Sequence, residues 1–258
     1  MNRKEISISL SDYPAALHQL LSGARVYDSS CSPEARVIFI DRDRGYYLKS
    51  APARSLASEA ALDGYFSERG LGATVLSYIS LDRDWLLTER VRGEDCTHRE
   101  YLSDPTRLCD TLATILRQLH DSDASDCPVP DRMKDYFELV EKNYRAGVFD
   151  ASYANGIATA DEAWHTVCEG RSLLHSDVLI HGDYCLPNIM LDSWRFSGFV
   201  DLGNGGVGDR HVDLFWGAWT LCFNLGTDEY RERFFDAYGR ESICADALRV
   251  IAAAECFG

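Results

Sequence analysis

Ile6, Ile8 and Leu10 alternate with polar residues near the start of the chain, and after Pro14 the apolar spacing becomes helical through Leu17, Leu20 and Leu21. Residues 26–27 and 35–40 read as strands around the turn 28–33, and a second charged turn at 41–45 leads into 46–48, so an antiparallel hairpin is expected. A helix is predicted over 55–69, with Leu56, Ala60 and Tyr65 on one side. Residues 75–79 and 85–88 predict the last two strands of a small sheet, with Asp82-Arg83-Asp84 as an acidic turn between them. At 89–95 the strand pattern stops, which marks a boundary between residues 1–92 and 93–258.

Beyond that boundary the periods are helical. Leu108, Leu112, Ile115, Leu116 and Leu119 share one face of a helix that starts at Pro105 and ends at His120-Asp121-Ser122, with His120 read as a structural histidine. Tyr136, Phe137, Val140 and Tyr144 mark a second helix, and Ala163, Trp164 and Val167 a third. Residues 212–223, 230–238 and 245–256 mark three more, the first capped by Asp209. Strands first and helices afterwards predict an α+β chain of two lobes with a cleft between them.

One stretch breaks the helical run. In residues 178–203 two apolar strand-like runs flank a polar turn, and Asp183 and Asp201 follow the two runs. Asn188 stands five residues after Asp183, and Gly203 two after Asp201. The unit offers one carboxylate for a hydroxyl nucleophile, and an amide oxygen plus a second carboxylate for a hard cation such as Mg²⁺, which prefers oxygen ligands. The plain alternative is that the two aspartates cap strands and Asn188 sits in an Asx-turn. The joint spacing of Asp-x-x-x-x-Asn and Asp-x-Gly is what the kinase template requires of base, metal amide and metal carboxylate.

Composition narrows the class. Formal net charge is −15, which repels nucleic acid and suits a polycationic ligand, or simply aids solubility. The nine cysteines are scattered with no Cys-x-x-Cys, so reduced thiols are expected rather than zinc or a disulfide framework. No apolar run reaches the length of a signal peptide core or a membrane span, and a cytoplasmic protein is expected. There is no P-loop signature. Gly203 to Gly208 matches Gly-x-Gly-x-x-Gly literally, but it follows the catalytic strands, where a flexible loop is expected, and not an early βαβ unit, so it is not read as a dinucleotide site.

His181-Gly182-Asp183 with Cys185-Leu186-Pro187-Asn188-Ile189-Met190 resembles the aminoglycoside phosphotransferases, most of all the 3′-phosphotransferase branch, over nearly the whole chain. That resemblance implies a protein-kinase-like two-lobed fold, with a small antiparallel-sheet N-terminal lobe for nucleotide and a larger, mainly helical lobe for catalysis and substrate. It implies ATP, with GTP as an option, and Mg²⁺ on Asn188 and Asp201. By the same resemblance Asp183 is the catalytic residue, and Lys49 grips the phosphates, oriented by Glu59. Ser32 covers the phosphates, Tyr47 stacks on adenine, and the Glu89 and Val91 backbone holds its edge. Asp213 resembles the buried aspartate that braces the catalytic loop. The implied substrate is a polycationic aminoglycoside, met by Asp183, by Glu255 near the C-terminus, and by acidic groups between Asp150 and Glu162. The family often places Arg after Asp-x-Gly and charged groups in the next helix; this chain has Asn204, Trp219, Phe223 and Asn224 there. A kinase for another hydroxyl compound (a sugar, a choline-like amine or a macrolide) is the alternative.

Overall fold

The structure is a computed structural model that describes residues 4–31, 35–154 and 156–258. It divides into two compact units, one comprising Met1–Arg92 with Ser197–Gly203 and the other Gly93–Phe196 with Asn204–Gly258.

The first unit is built on six strands: β1 (Lys4–Ile6), β2 (Arg25–Asp28), β3 (Arg36–Asp41), β4 (Tyr46–Pro52), β5 (Val75–Ser80) and β6 (Arg83–Glu89). Their order is β1-β2-β3-β4-β6-β5 and each neighbouring pair is antiparallel. Because side chains alternate along a strand, β4 divides its residues between two faces. Leu48 joins Val26, Ile38, Ile40, Trp85 and Leu87 in a core that Tyr13, Leu17 and Leu21 cover, the last on the short helix α1 (His18–Leu21). Lys49, paired with Val37 and Leu86, points to the opposite face. On that side Ala51 and Leu86 pack with Leu56, which leads into helix α2 (Ala57–Glu68). Ser197–Gly203 attaches to this unit through the Phe199 N–H, which donates to Leu71 O at 2.7 Å, and through an edge contact between the rings of Phe199 and Phe66.

Asp84 corrects the sequence reading, which put it in an acidic turn; it lies in β6. It is fully buried, and its carboxylate accepts from the Arg54 and Leu56 N–H groups and the Tyr78 and Ser80 hydroxyls. Burial alone would raise its pKa, but these four donors outweigh it and hold the carboxyl down to about 2. An otherwise bare helix entry thus receives its acceptor from a neighbouring strand, since Leu56 offers no side-chain cap.

The second unit contains β7 (Glu94–Asp95), α3 (Arg99–Leu102), α4 (Pro105–His120), α5 (Arg132–Arg145), α6 (Ala160–Gly170), β8 (Val178–Ile180), β9 (Ile189–Asp192), the start of β10 (Arg195–Phe199), β11 (Gly206–Gly208), α7 (Arg210–Leu225), α8 (Tyr230–Tyr238) and α9 (Ala245–Glu255). Local chemistry sets the helix starts. Asp104, Asp131 and Asp209 each accept a backbone N–H at an N-cap, and Thr159 with Glu162 forms a capping box. The predicted apolar face of α4 is buried along Leu108, Leu112, Ile115, Leu116 and Leu119. Val140, Ala163, Val167, Ala253, Ala254 and Phe257 form a core among α5, α6 and α9. The glycine-rich segment is not the flexible loop expected: after a 3-10 turn at Leu202–Asn204, β11 pairs antiparallel with β8. Among the described residues no helix is long and apolar enough to cross a membrane.

Candidate active site

In the first unit, Lys49 Nζ donates to Glu59 Oε1 at 2.7 Å and to Asp201 Oδ1 at 3.0 Å. The two acids reach it from different elements, Glu59 from the first turn of α2 and Asp201 from the end of the attached segment. Gly203 makes room for this, since a Cβ there would lie 3.3 Å from Glu59 Oε2. Burial would lower the lysine's pKa, but Asp201 and Glu59 outweigh it and raise it, so the ammonium stays charged. Burial raises Glu59 despite Lys49. Asp63, one helical turn beyond Glu59, is 9% exposed, and burial, with Glu59 adding to it, pushes its carboxyl up to about 7. The sequence reading missed Asp63; its only signal was a fourth-residue spacing from Glu59.

Asp201 adopts a left-handed φ of 61° and keeps its side chain 56% exposed. The ring of Tyr47 lies 5.2 Å from that of Phe39, its cross-strand partner. Glu89 N–H donates to Thr74 O, so a ligand contact through the Glu89 backbone would use its carbonyl. Val91 is buried. Ser32 lies outside the described residues.

In the second unit, the loop after β8 presents Asp183. Asn188 Nδ2 donates to Asp183 Oδ2 at 2.8 Å and to Asp183 O at 3.0 Å, holding the carboxylate against its own loop. The Asp183 N–H donates to Nδ1 of the buried His181, which shapes the turn. Gly182 has φ +82°, and a Cβ there would lie 1.8 Å from Asn204 O, so only glycine fits. Asp213, buried at the start of α7, accepts from the His181 and Gly182 N–H groups. Its Oδ2 also meets His120 Nε2 at 3.2 Å, while His120 Nδ1 meets the Tyr238 hydroxyl, so His120 has the structural place expected of it.

The substrate-side carboxylates differ from expectation. Glu255, read as an amine ligand near the C-terminus, is 7% exposed; its Oε1 accepts from the Tyr136 hydroxyl at 2.8 Å, and Trp216 also favours its charged form. Burial, partly offset by these donors, pushes it up to about 7. Asp150 and Glu162 are occupied with capping, and Asp161 accepts from Tyr144 OH. Short polar side chains at helix starts satisfy orphan N–H groups first, so these acids are less available than their spacing suggested.

Each unit by itself carries an oxygen donor of the kind a divalent cation takes. The Asn188 amide spends its nitrogen on Asp183, leaving its oxygen as an acceptor, and Asp201 uses one carboxylate oxygen for Lys49. Among the described residues there is no group of three or more His, Cys, Asp or Glu that could hold a metal ion.

Residues 28–252 match the APH phosphotransferase enzyme family. The chain is 49% identical to a probable aminoglycoside 3′-phosphotransferase from Lactococcus lactis, across 100% of this chain and 99% of that protein. It is 27% identical to an aminoglycoside 3′-phosphotransferase from Escherichia coli, across 84% of this chain and 80% of the relative. In fold it is similar to the crystal structure of an aminoglycoside 3′-phosphotransferase of type VIII, with a TM-score of 0.77, 22% identity and coverage of 96% and 99% of the two chains. A Streptomyces rimosus aminoglycoside phosphotransferase solved with ADP and streptomycin aligns with a TM-score of 0.74 and 20% identity, covering 97% of this chain and 99% of that one. A family match over most of the sequence and near-half identity along its full length place the chain plainly: it belongs to the APH phosphotransferase enzyme family, alongside aminoglycoside 3′-phosphotransferases.

Proposed function

We propose that the chain moves the γ-phosphoryl group of ATP, or GTP, to a hydroxyl of an aminoglycoside, the 3′-hydroxyl being favoured, and so inactivates the antibiotic. The observation that carries this reading is Asp183, a carboxylate fixed by Asn188 on a loop whose backbone Asp213 anchors. In the first unit Lys49, oriented by Glu59, grips the nucleotide phosphates; Ser32 covers them, Tyr47 stacks on adenine, and the Glu89 carbonyl and Val91 N–H hold its edge. In the second unit Asp183 orients the substrate hydroxyl and accepts its proton as the new O–P bond forms and the bond from the γ-phosphorus to the β–γ bridging oxygen breaks, releasing the nucleoside diphosphate. Because the transition state is loose, catalysis is chiefly positioning and charge stabilisation, and Asp183 need not be a strong base. Asn188 and Asp201 would hold Mg²⁺, which when bound neutralises charge on the transferring phosphates.

The chain's acidic excess favours a polycationic substrate. Glu255 meets one amine at short range; its burial removes it from long-range attraction. A cytoplasmic reaction, where ATP is supplied, goes with this reading.

Purified protein with Mg·ATP should phosphorylate kanamycin, whereas tobramycin, which keeps the amines but lacks the 3′-hydroxyl, should compete and receive no phosphate. Equal rates on both would remove the 3′ assignment. Failure of both to bind at low salt, with turnover of a sugar or a choline-like amine, would replace the aminoglycoside by that compound.

A further inference from the structure

One surface of the second unit is built from aromatic side chains. On α7 the rings of Trp219 and Phe223 stack, with centroids 5.0 Å apart and planes at 10°. Trp216 packs edge-on to Trp219 at 5.4 Å, and Tyr153 contacts both tryptophans at 5.7 and 5.9 Å. The ladder ends in solvent, with Phe223 71% exposed. With the half-buried Tyr153, Trp216 and Trp219 beside it, Phe223 forms one contiguous aromatic surface, and a contiguous apolar patch, unlike a lone exposed side chain, is a candidate binding surface.

The other end of the ladder lies by the catalytic loop. Thr220, the neighbour of Trp219, accepts the Leu186 N–H on its Oγ1 at 3.2 Å. One residue before Leu186, the Cys185 N–H donates to Asp183 O at 2.8 Å. Helix α7 is thus hydrogen-bonded to the loop that carries Asp183.

We propose that Trp219 and Phe223, buttressed by Trp216 and Tyr153, form an aromatic platform that binds one amino-sugar ring of the substrate. It takes the C–H face of the ring by stacking and an adjacent ammonium by cation–π attraction, in place of charged side chains. This rests on the aminoglycoside reading and names the residues that choose among such substrates. An aromatic face attracts a desolvated cation while stacking on apolar C–H edges, and a carboxylate does only the first. The platform therefore contributes affinity that salt screens weakly.

The test compares the full-length protein with Phe223→Ala, Phe223→Trp and Trp219→Phe. Phe223→Ala should raise the KM for kanamycin roughly fivefold to tenfold with kcat within about twofold, the mark of uniform binding lost, and the ratio to wild type should persist at high salt. Phe223→Trp should restore KM. Kanamycin without nucleotide should quench tryptophan emission in the wild type and much less in Trp219→Phe. An unchanged KM and undiminished quenching would overturn the platform. So would a shift from dimer to monomer in Phe223→Ala at wild-type KM, since the patch would then join two copies. If wild-type protein phosphorylates no aminoglycoside, the proposed function fails, while quenching by kanamycin still supports the platform and its absence overturns it.

Discussion

The carboxylate of Asp213 accepts the N–H groups of two successive residues, His181 at 2.7 Å and Gly182 at 2.8 Å, and so fixes the turn that presents Asp183. Removing it leaves two donors and His120 without their acceptor in a buried place. Asp213→Ala should destabilise the fold by about 3 kcal/mol and lower kcat more than it changes the KM for ATP. Asp213→Asn, which keeps one acceptor oxygen, should fall between. Thermal unfolding alongside steady-state kinetics checks this, and a variant of wild-type stability would deny the brace.

Coupling is expected where Lys49 meets Glu59 at 2.7 Å. Lys49→Ala should weaken nucleotide binding and slow transfer, and adding Glu59→Ala should cost little more, because the pair acts on one contact. Asp201→Ala should abolish the Mg²⁺ dependence of nucleotide binding, whereas Asp183→Ala should spare it. Calorimetry with and without Mg²⁺ separates these outcomes; additive losses in the double variant would show that Glu59 does not act through Lys49.

What could be read from the sequence was what periodicity and spacing encode. The apolar face of α4, the range of α8 and the N-cap of α7 follow from local pattern, and each is observed. The approach of Lys49 to Glu59 was legible only through resemblance, because a ten-residue separation by itself does not bring a strand and a helix together. Asp84 was misread because two of its four donors, the Arg54 and Leu56 N–H groups, come from a distant segment, and the nearby Tyr78 and Ser80 hydroxyls reach it only once β5 and β6 pair. The burial of Glu255 depends on Tyr136, more than a hundred residues away, a contact that no local pattern encodes. Ring stacking within α7 was implicit in the spacing of Trp219 and Phe223, but the exposure of Phe223 was not.

Asp63 should cost stability at neutral pH. Its folded pKa, pushed up to about 7 by burial and by Glu59, exceeds the unfolded value of 3.8, so the folded chain binds more protons between the two. Stability therefore falls as pH rises through that window, and the penalty is absent below the unfolded value and complete above about 7. Asp63→Asn should remove it, giving a gain of order 3 kcal/mol at pH ~8 that vanishes near pH ~4. Denaturant melts of both proteins across that range decide it; a pH-independent difference would mean that packing, not ionisation, sets the effect.

If Glu255 holds an amine of the substrate as proposed, binding should depend on pH in a way that the variant isolates. Burial raises its pKa from 4.5 to about 7, with the Tyr136 and Trp216 hydrogen bonds only partly offsetting it. The carboxyl is thus mostly neutral below that value and charged above it, and only the charged form attracts an ammonium group strongly. As pH rises from about 6 to about 8, wild-type affinity for kanamycin should gain on that of Glu255→Gln by roughly fivefold to tenfold. Loss of protons from the antibiotic's own amines affects both proteins alike and cancels in the ratio. Glu255→Gln should also raise KM at pH ~8 with a smaller change in kcat, because an amine held equally in ground and transition states contributes to binding alone. Calorimetric titration of the two proteins at several pH values measures the ratio. A flat ratio would confine Glu255 to its bonds with Tyr136 and Trp216 and leave the amine to other groups.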